Sequence, residues 1–172
     1  MNLYKEIGSY GPNILRFLSL FLLWNHPNLF FYYIVGIFFD LIFNFFLKGF
    51  IQQPRPNFSS KEFDLALKNN KRFIFKDGIP YNVFGMPSGH ASSVMFSTIF
   101  IYLALRKTNI LYLYLFISFI TVTQRIIYEY HTFAQIFVGI IVGSLTAYLF
   151  YQLAEKKIKG RIREKKDDYG PI

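Results

Sequence analysis

The chain has 172 residues, of which 53% are hydrophobic, 21% are aromatic and 17% are charged, with a formal net charge of +9. A soluble domain of this size needs a polar surface throughout, whereas the polar residues here are concentrated between apolar segments, several of them near the roughly 20 residues that cross a bilayer as a helix. The composition therefore indicates a membrane protein, and the basic excess indicates anchoring at an anionic lipid surface rather than binding of nucleic acid.

Two apolar segments lie in the N-terminal third. The first, residues 14–24, is short and contains Arg16, so it is either a tilted span that begins earlier or a segment in the membrane interface. Residues 29–47 predict a span, although Asp40 and Asn44 lie within it. Because these two residues are four apart, they share one helix face, which we expect to point into the bundle. Asp40 is open to a structural or a functional role.

The polar segment 52–89 predicts a small folded cap. Ser59 and Glu62 match a helix capping box, which predicts a short helix that ends near Lys68. Asp77-Gly78, between two runs of hydrophobic residues, predicts the turn of a β-hairpin.

The remaining apolar segments are residues 90–105, residues 109–127 and a final one that ends near Leu153. The predicted fold class is all-α, a polytopic membrane bundle of five transmembrane helices, or four if the first apolar segment does not cross. We expect one membrane domain over residues 1–154, which includes the cap between the second and third apolar segments, followed by a basic, solvated tail over residues 155–172.

Counting the spans places three polar clusters on the same membrane face. They follow the second apolar segment, precede the third, and join the fourth to the fifth. Cations and the start of a helix bind phosphate oxygens, and imidazoles supply an acid and a base. The pattern therefore predicts an anion pocket assembled from distant parts of the chain, with these residues: Lys48, Arg55, Ser88, Gly89, His90, Arg125 and His131.

A basic residue or a histidine at a membrane boundary is more often an interfacial anchor than a catalytic group. Taken singly, Lys48 and Arg125 would be interpreted in that way, but their place in an ordered set favours phosphate binding. The anchor interpretation holds for the residues that no motif surrounds: Arg16, His26, Arg106 and Lys107.

The chain resembles the type-2 phosphatidic acid phosphatase and haloperoxidase superfamily over about residues 44–143. The resemblance rests on three motifs in the family's order, namely Lys48 with Arg55-Pro56, then Pro87-Ser88-Gly89-His90, then Arg125 with His131. Two positions differ from the usual pattern: Gln124 replaces the serine before the arginine, and Gln135 replaces an aspartate four residues after the histidine. Dolichyl diphosphatases also carry glutamine at the second position, and residues 44–56, 85–88 and 130–135 resemble that branch.

The resemblance implies a role for each residue. His131 would attack phosphorus and form a phosphohistidine, and His90 would act as general acid and then as base. Gln135 would orient the ring of His131. The resemblance also implies no metal and no cofactor, with the phosphate held by the remaining motif residues: Lys48, Arg55, Ser88, Gly89 and Arg125.

The implied activity is removal of the terminal phosphate from a polyisoprenyl diphosphate in the membrane of the endoplasmic reticulum. Three alternatives stay open: a phosphatase for phosphatidate or related glycerolipids, a vanadate haloperoxidase, and a catalytically weakened, non-enzymatic membrane protein suggested by Gln124 and Gln135. The long apolar spans count against the haloperoxidase. Basic residues outside the motifs are more numerous on the face opposite the pocket, which predicts a cytoplasmic tail and a lumenal or extracytoplasmic pocket.

Overall fold

The computed structural model describes residues 3–76 and 79–161, which form six α-helices and one antiparallel hairpin. In chain order the elements are α1 (Leu3–Leu23), α2 (Pro27–Ile51), α3 (Ser60–Lys68), β1 (Phe73–Lys76), β2 (Ile79–Asn82), α4 (Gly89–Leu105), α5 (Thr108–Ile127) and α6 (Phe133–Ile158).

The long helices have the character of a membrane bundle. α2, α5 and α6 are each long and apolar enough to cross a membrane, whereas α4 is apolar but shorter, with 17 residues. Length and composition thus identify three spans in the described part of the chain rather than the predicted five. The crossing of α1 and α4 remains a prediction.

α1 begins eleven residues earlier than the apolar segment predicted at residue 14. The added turns contain Gly8, Gly11 and Pro12, which weaken or interrupt an isolated helix. They are tolerated here because α1 packs closely on α5. A Cβ at Gly8 would collide with the side chain of Gln124, and one at Gly11 would collide with Thr121.

α4 is the central helix, since it packs against α1, α2, α5 and α6. Its contact with α6 is especially close: a Cβ at Gly139 or Gly143 would collide with the carbonyl oxygen of Ser88 or Ser92 respectively. The apolar core lies at one end of the bundle, where α4 ends, and includes Leu23, Tyr33, Phe100, Tyr114 and Phe150. The other end, where α4 begins, is rich in buried polar side chains.

The predicted cap is present over the polar end. Ser59 and Glu62 form both bonds of the capping box at the start of α3, which confirms that prediction. β1 and β2 pair in register from Phe73↔Asn82 to Lys76↔Ile79, while the predicted turn at Asp77-Gly78 lies outside the described residues. Arg72 connects the cap to α2, because it donates to the carbonyl oxygen of Phe45 and its guanidinium carbon lies 3.4 Å from the centre of the Phe45 ring.

The last helix continues past its predicted end near Leu153 to Ile158. Lys159 pairs with Glu155 at 3.0 Å, so the segment expected to be a solvated tail from residue 155 starts with helical residues. Residues 162–172 of that tail lie outside the described residues.

Candidate active site

His131 lies between α5 and α6 at the polar end of the bundle, where it is 3% exposed. Its Nδ1 atom is 3.1 Å from Gln135 Oε1, and its Nε2 atom is 3.2 Å from Arg55 Nη1. The backbone nitrogen of His131 donates to the carbonyl oxygen of Arg125 at 3.2 Å, which holds the His131 backbone against the end of α5.

Gln135 determines which ring nitrogen of His131 carries the proton. Its Nε2 atom is 2.8 Å from the carbonyl oxygen of Pro54, which can only accept, so the amide nitrogen must face Pro54 and the amide oxygen must face His131. The oxygen then accepts from His131 Nδ1 and from the backbone nitrogen of Thr132 at 3.3 Å. Nδ1 therefore carries the hydrogen, and Nε2 presents a lone pair next to Arg55.

The same glutamine is part of the capping box of α6, whose N-cap residue is Thr132. Thr132 Oγ1 accepts from the backbone nitrogen of Gln135 at 3.2 Å, which completes a capping box with the bond from the Thr132 amide to the Gln135 side chain. Ring orientation and helix initiation thus depend on one fully buried side chain.

Arg55 and Lys48 bring positive charge to this point. Arg55 donates to the carbonyl oxygens of Asn82 at 2.8 Å and Tyr130 at 3.2 Å, and burial lowers its pKa to about 10, so its guanidinium stays charged at neutral pH. Lys48 is 7% exposed and donates to the carbonyl oxygens of Phe84 at 3.1 Å and Gly85 at 3.3 Å. An ammonium group has three donors, so one remains for an anion.

These surroundings keep the His131 ring neutral. Burial, followed by the positive charges of Arg55 and Lys48, holds the pKa of His131 well below its ordinary value of 6.5, and the hydrogen bond with Gln135 opposes that shift only in part. The neutral ring is the nucleophilic form.

His90 and Arg125 form the second half of the site. Arg125 Nη2 contacts His90 Nε2, and the carbonyl oxygen of Ser9 in α1 lies 3.2 Å from the same nitrogen. Because a guanidinium only donates and a carbonyl oxygen only accepts, His90 Nε2 accepts from Arg125 when it is unprotonated and donates to Ser9 when it is protonated. Arg125 Nε is buried without a partner among the described residues, so it is a further donor directed at no protein group there.

The start of α4 lies at the polar end of the bundle. Ser88 caps the helix, with its Oγ accepting from the Ala91 nitrogen at 3.5 Å. Its own backbone nitrogen donates to the carbonyl oxygen of Gln135 at 2.9 Å, so the Ser88 amide holds α6 rather than facing a ligand. The helix-initial amides of Gly89 and His90 are the ones that an anion could reach. A Cβ at Gly89 would meet only Asn44 Oδ1, at 3.5 Å, so packing does not require glycine at this position.

The structure thus brings together the residues that the sequence placed in one pocket. Sequence reasoning assigned no role to Gln53, which accepts from Gln135 Nε2 at 3.0 Å, although it lies in the segment 44–56 that resembles the branch. It also missed Ser9, which lies outside the motifs. Gln124 is fully buried and donates to Ser9 Oγ at 3.3 Å. The larger side chain at this motif position therefore fits because residue 8 of α1 is glycine.

A family model described as the PAP2 superfamily matches residues 29–159, about three quarters of the chain. The chain belongs to the PAP2 superfamily. The predicted resemblance is therefore confirmed, and α1 lies outside the matched segment of this PAP2 member.

The comparison with curated proteins supports the predicted branch. Dolichyldiphosphatase of Saccharomyces cerevisiae is 30% identical to this PAP2 superfamily chain over 120 residues, which cover 64% of the chain and 45% of the yeast protein. The chain thus spans less than half the length of that relative. No solved structure is significantly similar to it.

Among residues 3–76 and 79–161, no three His, Asp or Glu side chains lie together as metal ligands would. The independence of this PAP2 member from metals stays a prediction.

Proposed function

We propose that the chain is an integral membrane lipid phosphatase that removes the terminal phosphate of a polyisoprenyl diphosphate. The observation that carries the proposal is the pairing of His131 Nε2, a buried lone pair, with Arg55 Nη1 at 3.2 Å. A phosphate bound by the Arg55 guanidinium would therefore lie next to the lone pair of His131 Nε2, the proposed nucleophile. The yeast relative, by its name a dolichyl diphosphate phosphatase, supports the substrate class.

In the first step, His131 Nε2 attacks the terminal phosphorus in line, and the bond from phosphorus to the bridging oxygen breaks. A bound phosphate accepts from Arg55, Arg125 and Lys48, which draws both guanidinium groups away from the imidazoles. His90 Nε2, released from Arg125, takes up a proton from the solvent as the substrate binds and donates it to the departing oxygen. Before the transfer, the carbonyl oxygen of Ser9, 3.2 Å away, accepts from the protonated nitrogen. The products are the lipid monophosphate and a phosphohistidine.

In the second step, water attacks the phosphohistidine and the bond from phosphorus to nitrogen breaks. His90, now neutral, takes the proton from the water and is ready for the next cycle. His131 returns to its neutral form as inorganic phosphate leaves. Gln135 holds Nδ1 throughout, so the lone pair at Nε2 is regenerated in place.

The test is phosphate release by the purified protein from dolichyl diphosphate, dolichyl phosphate and phosphatidate, with a chelator present. We expect the diphosphate to be the preferred substrate and the chelator to have no effect. Preference for phosphatidate would replace the proposed substrate with the glycerolipid alternative, and no turnover of any of them would favour a non-enzymatic membrane protein.

His131→Ala tests the mechanism. It should abolish phosphate release and the labelled protein intermediate that acid quenching of the wild type traps from a ³²P-labelled substrate. The matched control is His26→Ala, because His26 precedes α2 at the opposite end of the bundle. Turnover by purified His131→Ala would remove His131 from the nucleophile's role.

We also propose that the pocket faces the lumen or the outside and that the C-terminal tail is cytoplasmic. The chain has no cysteine, so single cysteines can report the two sides. Lys61→Cys in the cap should react with an impermeant maleimide added to intact cells, if the protein is in the plasma membrane, or to inverted microsomes, if it is in the endoplasmic reticulum. Lys107→Cys at the opposite end should react in the same preparations only after permeabilisation. The reverse pattern would invert the proposed orientation.

A further inference from the structure

A second polar cavity, of about 310 Å³, lies next to His90 between α1, α2 and α4. α2 is an apolar helix long enough to span a membrane, and α1 is predicted to cross as well. A polar cavity between two such helices needs an explanation. The polar side chains that line it are Ser9, Asn13, Arg16, Asp40, Asn44, His90 and Ser93.

Arg16 is not the interfacial anchor that the sequence suggested. It is half-buried and donates to Ser93 Oγ at 2.7 Å and to Asn13 Oδ1 at 3.2 Å, both neutral acceptors. Side chains on a helix point toward its N-terminus, and α1 begins at the catalytic end, so Arg16 extends toward His90. Asp40 is near enough to interact electrostatically with Arg16, which lowers the cost of burying the cation. The Asp40 carboxylate itself accepts from Ser92 Oγ at 2.6 Å.

Asn44 supplies a second donor to the cavity. It is 5% exposed, and its Nδ2 atom has no hydrogen-bond partner among the described residues. A buried donor without a partner is costly unless a ligand or water accepts from it. The cavity thus combines a guanidinium and an unsatisfied amide beside His90, a combination suited to the oxygens of an anion.

We propose that this cavity binds the phosphate of a diphosphate lipid that remains with the lipid after cleavage, and that Arg16 distinguishes diphosphate from monophosphate substrates. The inference rests on the proposed function and adds a substrate-selecting residue to it. His90 contacts Arg125 and also lines the cavity, so it lies between the cations of the first pocket and Arg16. In the bound diphosphate, the bridging oxygen would lie at His90 and receive its proton. The terminal phosphate would then lie in the first pocket, and the phosphate that stays on the lipid would lie in the cavity with Arg16.

The helix arrangement lets a lipid reach this position from the side. α1 packs mainly on α4 and α5, and α2 packs mainly on α4 and α6, so α1 and α2 have few contacts with each other. Pro12 of α1 and Leu41 of α2 line the cavity, and the side chain of Leu41 is 43% exposed. The isoprenoid chain can therefore stay in the bilayer while the diphosphate occupies the space between these helices.

The test compares Arg16→Gln with the wild type on dolichyl diphosphate and dolichyl phosphate. We expect kcat/KM for the diphosphate to fall about 10- to 100-fold, the range for a lost hydrogen bond between charged groups. The value for the monophosphate should stay within about twofold, since a monophosphate has no second group to place in the cavity. Arg16→Lys, which keeps the charge, should recover part of the difference, and Arg106→Gln at the opposite end of the bundle is the matched control.

Inhibition by methylenediphosphonate, compared with inhibition by phosphate, tests the cavity independently of the natural substrate. We expect the diphosphonate to inhibit the wild type more strongly, whichever lipid is turned over, and Arg16→Gln to lose that difference. If the wild type hydrolyses only monophosphate lipids but the diphosphonate result holds, the proposed function fails and the cavity assignment stands. Equal losses on both substrates in Arg16→Gln and in Arg16→Lys, or an unchanged inhibitor ratio, would overturn the assignment.

Discussion

Replacement of Gln135 by leucine tests how His131, the proposed nucleophile, is oriented. Leucine has a similar volume but removes four hydrogen bonds, to His131 Nδ1, the Thr132 nitrogen, Gln53 Oε1 and the Pro54 oxygen. Loss of the bond to Nδ1 removes about 1–1.5 kcal/mol of stabilisation from the positively charged ring that forms as Nε2 attacks phosphorus. That alone lowers kcat about 5- to 12-fold, and rotation of the freed ring increases the loss. The Pro54 carbonyl oxygen and the Gln53 side chain also lose their donor, which lowers stability.

Gln135→Glu separates orientation from charge. A carboxylate can still accept from His131 and the Thr132 nitrogen, but it adds a negative charge that raises the pKa of His131 and moves the acid limb of the rate profile to higher pH. It also places an oxygen near the Pro54 carbonyl oxygen, which lowers stability. Stopped-time phosphate assays across pH, with thermal unfolding in detergent, measure both effects.

Gln124→Leu is the matched control, since Gln124 is also fully buried but loses only its bond to Ser9 Oγ. Its pH profile should match that of the wild type. Gln135→Leu with kcat within about twofold of wild type would refute the reasoning, as would an unshifted acid limb in Gln135→Glu.

Two further predictions follow from the pKa of His131 and from the glycines. Because His131 is buried among cations and its pKa is lowered, its neutral form persists below 6.5, so the acid limb of kcat/KM should lie below that value. The lowered pKa of His131 also affects stability: its contribution is present above pH 6.5 and is lost as pH falls toward the folded-state pKa. The temperature midpoint of unfolding should therefore drop on acidification below pH 6.5. A midpoint that does not change with pH would contradict this prediction. Gly89→Ala should keep its unfolding temperature but lose activity about tenfold or more if an anion approaches that amide. Gly143→Ala should be strongly destabilised, because its Cβ would collide with the Ser92 carbonyl oxygen, and equal effects on stability from the two changes would contradict this distinction.

The helix boundaries were predictable where local chemistry determines them. The capping box at Ser59 and the long apolar segments gave α2, α3 and α5 to within a few residues. The start of α1 was left open, as a span that begins before residue 14 or a segment in the interface, because its glycines and proline argue locally for a break. Packing against Gln124 and Thr121 overrides that preference, and such packing is invisible in a single sequence.

In the candidate site, too, some features could be predicted from the sequence and others depended on tertiary packing. Connectivity alone brings the three motifs to one end of the bundle, so the identity of the pocket residues could be predicted. Their partners could not, because a hydrogen bond such as that of Arg16 with Ser93 depends on how each helix is rotated about its axis. The Ser88 amide, expected to face phosphate, instead donates to Gln135 for the same reason.

α1 has a consequence for how the enzyme can be altered. It lies outside the family-matched residues 29–159, yet its Ser9 carbonyl lies against His90 and its Arg16 lines the cavity beside that histidine. A truncation designed on the family limits would therefore strip one wall from the catalytic end while keeping every motif residue. Chimaeras that exchange only this helix between relatives would vary the wall and leave His131 and its hydrogen-bond partners Arg55 and Gln135 in place.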